Sequence, residues 1–285
     1  MRISGRKIFS THRRACSVFQ TGPVAPQVGI HMYNILDYPL VVFVVSLVVL
    51  WLSARGGSIF RTKRALEKEE RDDLGIVVAA ALTLLGLIIG FSFSMSVSRY
   101  DQRKNYEAAE ATAIATEYSR ADVLPAADAE KVHGLLKDYL NQRILFYSTR
   151  DESQLTTIAA ATERLRTDMW SSIHARIVDP ATPLGVQIAM GMNDVLNSQI
   201  YTQGAWWNRI PIAAWILQGL IAIGSNFLFG YCARGTAPKG TKFYFLPMLV
   251  AIAFWLIADI DSPLGGVIRI RPVNLEVLSQ SLQTR

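Results

Sequence analysis

The stretch from Leu74 to Leu124 constrains this chain more than any other. It opens with a charge-free run of membrane length, LGIVVAAALTLLGLIIGFSFSMSVS, and passes without a proline into a charged, alanine-rich run, RYDQRKNYEAAEATAIATEYSRADVL. The next proline is Pro125. An uninterrupted helix over about 50 residues measures roughly 75 Å, more than twice the ~30 Å of bilayer hydrocarbon. The sequence therefore predicts one helix that spans a membrane over 74–98 and continues out of it as a stalk.

The rest of the chain supports a membrane setting. Of its 285 residues 51% are hydrophobic and only 18% charged. The apolar residues gather into four blocks near the two ends, and the charged ones lie between them. The predicted layout is all-α. A basic extension, 1–34, expected to be disordered, precedes spans at 35–55 and 74–98, which are joined by a charged loop at 56–73. A helical insert at 99–205 then leads to spans at 206–232 and 243–260, joined by a basic loop at 233–242, and to a tail at 261–285. Met32, just before the first block, offers a second start. Gly56-Gly57 is expected to end the first helix, since glycine favours helix C-termini. Trp206 and Trp207 sit where interface aromatics mark entry to the third span.

The insert reads as helical throughout. One helix, from about Ala127 to Ser148, carries Val132, Leu135, Leu136, Tyr139, Leu140, Ile144 and Tyr147 on one side. A second, from about Glu152 to Val178, carries Leu155, Ile158, Leu165, Met169, Ile173 and Ile177. A third, from about Pro183 to Tyr201, carries Val186, Met190, Val195 and Ile200. Along the stalk Ala108, Ala111, Ile114, Tyr118 and Ala121 recur at three- and four-residue steps, a narrow packing stripe. Arg99, Arg103 and Lys104 are expected at the headgroup level.

Three groups of residues invite a functional reading. In the second span Ala79, Thr83, Gly86, Gly90, Ser94 and Ser98 fall near one helical face. Such a face lets another helix approach closely, or lines a pore. In the third span Gln218 and Asn226 are eight residues apart and share a face; polar side chains there serve as hydrogen-bonded glue between helices or belong to a permeation path. After the fourth span come Asp259 and Asp261, which can offer oxygen ligands to a cation or stand as solvated carboxylates in a helix-ending turn. Two carboxylates do not specify a metal site.

The positive-inside rule gives an orientation. The loops 54–73 and 232–242 carry six and three Lys/Arg, whereas Arg99, Arg103, Lys104, Arg209, Arg269 and Arg271 flank the spans on the other side. Nine against six places the insert outside the cytoplasm.

The run GFSFSMSVSRYDQRKNYEAAEATAIATEYSRADVLP resembles the opening of the insert in a bacterial integral-membrane family described as bestrophin-like. Asp259-Ile260-Asp261-Ser262-Pro263-Leu264-Gly265-Gly266 is similar to that family's closing D-x-D-x-P-x-x-G motif. The resemblance covers about residues 35–275 and marks Tyr100, Asp101, Asp259, Asp261, Pro263 and Gly266 as motif positions. True bestrophins are pentameric anion channels whose second span lines the pore, so the resemblance implies a homo-oligomeric ion channel, with anions as its cargo, in a bacterial inner membrane. The tryptophan-rich run that follows this point in bestrophins is replaced here by Asn105-Tyr106-Glu107-Ala108-Ala109.

Other chemistry finds no support in the chain. Its four histidines and two cysteines, Cys16 and Cys232, have no ligand spacing. No zinc-protease helix, phosphate loop or nucleophile elbow is present. The modest net charge of +6 sits beside the apolar blocks and gives no reason to expect nucleic acid. No enzyme activity, cofactor or metal is expected. The expected partners are the lipid bilayer and further copies of the chain; the competing expectation is a non-conducting sensor or scaffold whose insert binds a protein.

Overall fold

A computed structural model describes residues 37–62, 68–178, 183–232, 242–263 and 265–284. The basic extension, including Cys16, and most of the 233–242 loop lie outside these residues. The described chain is helical without a strand. Its elements are α1 (Pro39–Thr62), α2 (Lys68–Ala121), α3 (Ala126–Ser148), α4 (Glu152–Val178), α5 (Pro183–Trp207), α6 (Ile212–Cys232), α7 (Lys242–Asp261) and α8 (Val273–Gln283). Among the described residues four stretches are long and apolar enough to cross a membrane: α1, the first half of α2, the run through α6, and α7.

α2 is the predicted long helix, unbroken over 54 residues. It ends at Ala121, three residues before the expected Leu124, because the chain must leave the helical region ahead of Pro125. The reversal is held by Val123 and Leu124, whose N–H groups donate to the carbonyls of Arg120 and Ala121. α4 matches its predicted bounds. Asp151 stands before it and accepts the Ser153 N–H at 3.0 Å, as a helix-capping carboxylate does.

Two apolar cores lie along α2. In the membrane bundle Val42 and Leu50 of α1 meet Leu85 of α2, Ala222 of α6 and Val250, Phe254 and Ala258 of α7. In the insert Ile114 and Tyr118 of α2 meet Leu136 and Tyr139 of α3, Met169 of α4, Met192 and Val195 of α5 and Leu275 of α8.

Several expectations are corrected. α1 does not stop at Gly56-Gly57 but runs through both to Thr62. These glycines mark a helix crossing: a Cβ on Gly57 would overlap the Phe227 carbonyl of α6, and one on Gly230 of α6 would overlap the Ala54 carbonyl of α1. Glycine serves here to let two backbones touch, a tertiary demand that outweighs its helix-breaking tendency. Trp206 and Trp207 close α5 and do not open the third span. Trp206 is buried, its ring 4.8 Å from Phe146 and 5.6 Å from Tyr147 in the insert core. The span begins after a break at Asn208–Pro211, at Ile212. On α5, Val195 is buried as expected, but Val186, Met190 and Ile200 are exposed; the buried face combines Ile188, Met192 and Val195 with the small or polar Gly185, Gly191, Ser198, Gln199 and Thr202. The tail holds a further helix, α8, whose Leu275 and Leu282 are buried in the insert core.

Candidate functional site

One face of α2 stays buried along its length. Within the membrane it consists of Val78, Leu85, Ser92 and Ser96; beyond it the same face continues as Arg103, Glu107, Glu110, Ile114, Glu117 and Ala121. These steps of three, four and seven residues hold one azimuth on a helix. The buried face thus changes from uncharged to charged beyond Ser96.

The opposite face carries the small residues. Ala79, Thr83, Gly86, Gly90, Ser94 and Ser98 are all exposed. Among the described residues no helix packs on the two glycines: a Cβ added at Gly86 or Gly90 would meet nothing within 4 Å. The lane continues outward through Asp101, Gln102 and Asn105, which with Ser94, Val97, Ser98 and Tyr106 line an open groove of about 690 Å³. Bulky Leu87, Phe91 and Phe93 stand exposed beside the lane. Only 11% of the most apolar window of α2 is buried, against 22% for α1 and 50% for α7.

At the outer end of the spans the motif residues form a junction. Arg103, expected at the headgroup level, is buried within the protein, and its guanidinium gathers chain ends. It donates to the carbonyls of Ala205 (3.1 Å), Asn208 (3.3 Å), Ile260 (3.4 Å) and Asp261 (3.1 Å). A cation at the carboxyl ends of α5 and α7 satisfies carbonyls that have no helical partner and opposes the helix dipole. Asp261 accepts the Ile210 N–H at 3.2 Å and lies 3.7 Å from Arg99. Asp259 accepts the N–H groups of Val267 (2.7 Å) and Ile268 (2.8 Å). Both carboxylates are buried, which corrects the reading of a solvated turn. Gly266 is needed because a Cβ there would crowd the Asp259 carbonyl. Pro263 is half-buried in the same turn. Asp37, ahead of α1, pairs with Arg209. Tyr100 is half-buried, and Asp101 points away from the junction into the lane. Among the described residues no group of three or more His, Cys, Asp or Glu is placed to hold a metal.

Gln218 and Asn226 are fully buried, on the inner face of α6 as expected. They do not glue helices together directly. Asn226 Nδ2 donates to the Ala222 carbonyl of its own helix at 2.8 Å, and neither Nε2 nor Oε1 of Gln218 has a protein partner.

The charged residues on the buried face of the stalk escaped the sequence reading. Glu107 accepts the Asn274 and Leu275 N–H groups at 3.0 and 3.1 Å and caps α8. Glu110 is held by Arg143, Tyr139, Tyr147 and Thr202. The signal was present in their spacing, which continues that of Ile114 and Ala121.

The fold and the junction define an all-helical, four-span membrane protein with a helical insert after its second span. No family model and no curated protein matches the sequence. Solved structures do match the fold. A tyrosine-to-alanine variant of a bacterial bestrophin homologue from Klebsiella pneumoniae superposes with a TM-score of 0.58 at 15% identity, covering 85% of this chain and 98% of that one. The zinc-phased structure of a bestrophin homologue from the same organism gives 0.55 at 15% identity over 85% and 97%. The chain has the bestrophin-homologue fold; at this identity the likeness is one of architecture.

Proposed function

We propose that this protein is a homo-oligomeric ion channel of a bacterial inner membrane, with α2 of each copy facing a common axis. One observation carries the reading: the lane from Ala79 to Ser98 is exposed and lies opposite the buried face of its helix. Small and hydroxyl-bearing residues are poor lipid ligands compared with the Leu and Phe beside them, whereas around an axis they leave room and hydrogen-bonding capacity for water and ions. The bestrophin-homologue fold supports the same placement. The Lys/Arg excess of the loops 54–73 and 232–242 supports an extracytoplasmic insert.

Reconstitution tests this directly. Purified protein in liposomes gives conductance above that of empty liposomes, and in native-like lipid it runs as an oligomer. A monomer with no conductance to any of several anions and cations rejects the channel. It would leave the second reading, a non-conducting sensor or scaffold, which is favoured by the exposed apolar residues Val186, Met190, Ile200 and Trp207 of α5 in the insert. Reporter fusions near residue 150 and in the 56–73 loop decide the side of the insert.

A further inference from the structure

Of the four charged residues on the buried face of the stalk, three are fully engaged. Arg103 holds four carbonyls, Glu107 caps α8, and Glu110 meets Arg143 and three hydroxyls. Glu117 differs. It is completely buried, and among the described residues neither carboxylate oxygen has a protein hydrogen-bond partner. The cation paired with it is Arg120, at 3.7 Å and partly exposed.

Glu117 is covered by α5 at Gly191. A Cβ at Gly191 would overlap both Glu117 Oε2 and Arg120 Nη1, so the α5 backbone lies directly on these two groups. Beside this contact α2 and α5 leave a cleft of about 350 Å³, lined by Thr112, Thr116, Arg120, Gly191 and Asp194. Glu117 lies 19 residues beyond Ser98, about 28 Å of helix, and so outside the bilayer.

We propose that Glu117 is a proton-binding site that sets how tightly α2 and α5 close at Gly191. An ionised carboxylate without donors in a dry seam is costly, whereas the neutral acid is tolerated. Burial pushes the Glu117 carboxyl up to about 7, with Arg120 working against that shift and Asp194 adding to it. The sign follows. Because the pKa is raised on folding, the closed seam is fully stable below the ordinary carboxylate range and loses stability as pH rises through about 7. Above that pH the charged group draws water, and the seam loosens where α5 has only hydrogen to offer.

Among the described residues the other charged and titratable groups near the seam are few, and the Glu117 substitution separates them from it. Asp194 is the sole carboxylate of α5. α3 brings His133 and Lys137 to a neighbouring face, where His133 bonds the Tyr118 carbonyl and pairs with Asp122, and Lys137 lies over the Tyr118 ring. α8, with Glu276, packs at Glu107, ten residues or about 15 Å along α2. Both partners of the seam lead into the membrane, α2 directly and α5 through the Asn208–Pro211 break to α6. Proton binding in the insert is thereby linked to two spans, whether or not the protein conducts.

The test is hydrogen exchange on the full-length protein in lipid nanodiscs from pH 5.5 to 8.5, corrected for the intrinsic chemical rate. Protection of the 185–199 segment falls with a midpoint near 7, while that of α3 does not move. Glu117→Gln, neutral at every pH, abolishes the transition and keeps the acid-side protection. Asp194→Asn moves the midpoint down and Arg120→Gln moves it up, each by roughly half a pH unit or more. These two exposed sites keep the test decisive if Glu117→Gln does not fold. Protection that is flat with pH, a transition that survives Glu117→Gln, or a midpoint unmoved by both neighbours overturns the proposal.

Discussion

Glu110 of α2 and Arg143 of α3 form an ion pair that is closed to solvent on all sides. The second guanidinium nitrogen reaches Glu110 Oε2 at 3.3 Å, and Thr202 of α5 donates to the same oxygen at 3.2 Å. The Tyr139 and Tyr147 hydroxyls complete the shell at 3.5 Å. Burial, reinforced by the Glu110 charge, pushes both phenols up, so they remain protonated donors. Three helices are thus tied through one carboxylate. Removing the cation alone strands that carboxylate, so Arg143→Met lowers stability by about 3–5 kcal/mol, whereas the double replacement of Glu110 and Arg143 by Leu and Met recovers much of it. Chemical unfolding of the purified insert-containing protein in detergent measures both, and equal losses for single and double variants would refute the assignment.

Glycines on the two faces of the membrane bundle behave oppositely. Gly230→Ala and Gly57→Ala place a methyl into a facing carbonyl and force α1 from α6, at about 1–3 kcal/mol or more. Gly86→Ala and Gly90→Ala meet nothing within the chain and leave the monomer intact. A thermal-shift series over the four variants separates intrachain packing from the free lane. A loss of stability for Gly86→Ala in the monomer would show that the lane packs within the chain.

The difference between these glycine pairs also shows what was legible in the sequence. Charge-free block length marked four membrane-length helices, with the third begun too early, and apolar periodicity marked α3, α4 and the stalk, because burial on one face writes itself into spacing. Neither told a glycine that ends a helix from one that lets helices touch; Gly56-Gly57 looked like a stop because the touching residue, Phe227, lies far away in sequence. The face of α5 was misread for a related reason. It packs on a charged stalk, so small and polar residues join Ile188, Met192 and Val195 on its buried face, while Val186, Met190 and Ile200 look outward. Arg103 was placed at the headgroups, and Glu107, Glu110 and Glu117 were passed over, because charge normally signals solvent; the partners that allow Arg103, Glu107 and Glu110 to be buried lie far away in sequence, and Glu117 has no such protein partner among the described residues. Asp259 and Asp261 were noticed, yet the backbone donors they satisfy could be seen only in three dimensions.

Glu107 fixes the tail to the stalk. It takes two backbone N–H groups from the first turn of α8, and its Oε2 takes Asn274 Nδ2 at 2.6 Å. A carboxylate at a helix N-terminus satisfies orphan donors and favours the dipole. Glu107→Ala therefore loosens α8 by about 1–3 kcal/mol without unfolding the bundle. Limited proteolysis should then cut within 267–283 well before any site in α3, and unchanged resistance of the tail would count against the cap.

The charge of the lane bears on which ions a pore built from it would pass. Asp101 is exposed at its outer end, and Asp72, seven residues before Ala79 and so on the same azimuth, is exposed at the other. Between them the lane carries no charge. Lys104 is exposed to one side, while Arg99 and Arg103 are turned inward to the junction. Repeated around an axis, each aspartate becomes a ring, and rings of carboxylates concentrate cations. This runs against the anion preference that the bestrophin resemblance implies. Under a KCl gradient the reversal potential of the reconstituted protein should lie toward the cation limit. Asp101→Asn should move it toward zero, and Asp101→Lys further still. An anion-side potential indifferent to both would keep the pore but remove the lane's aspartates from ion selection, whereas absence of current would remove the pore itself.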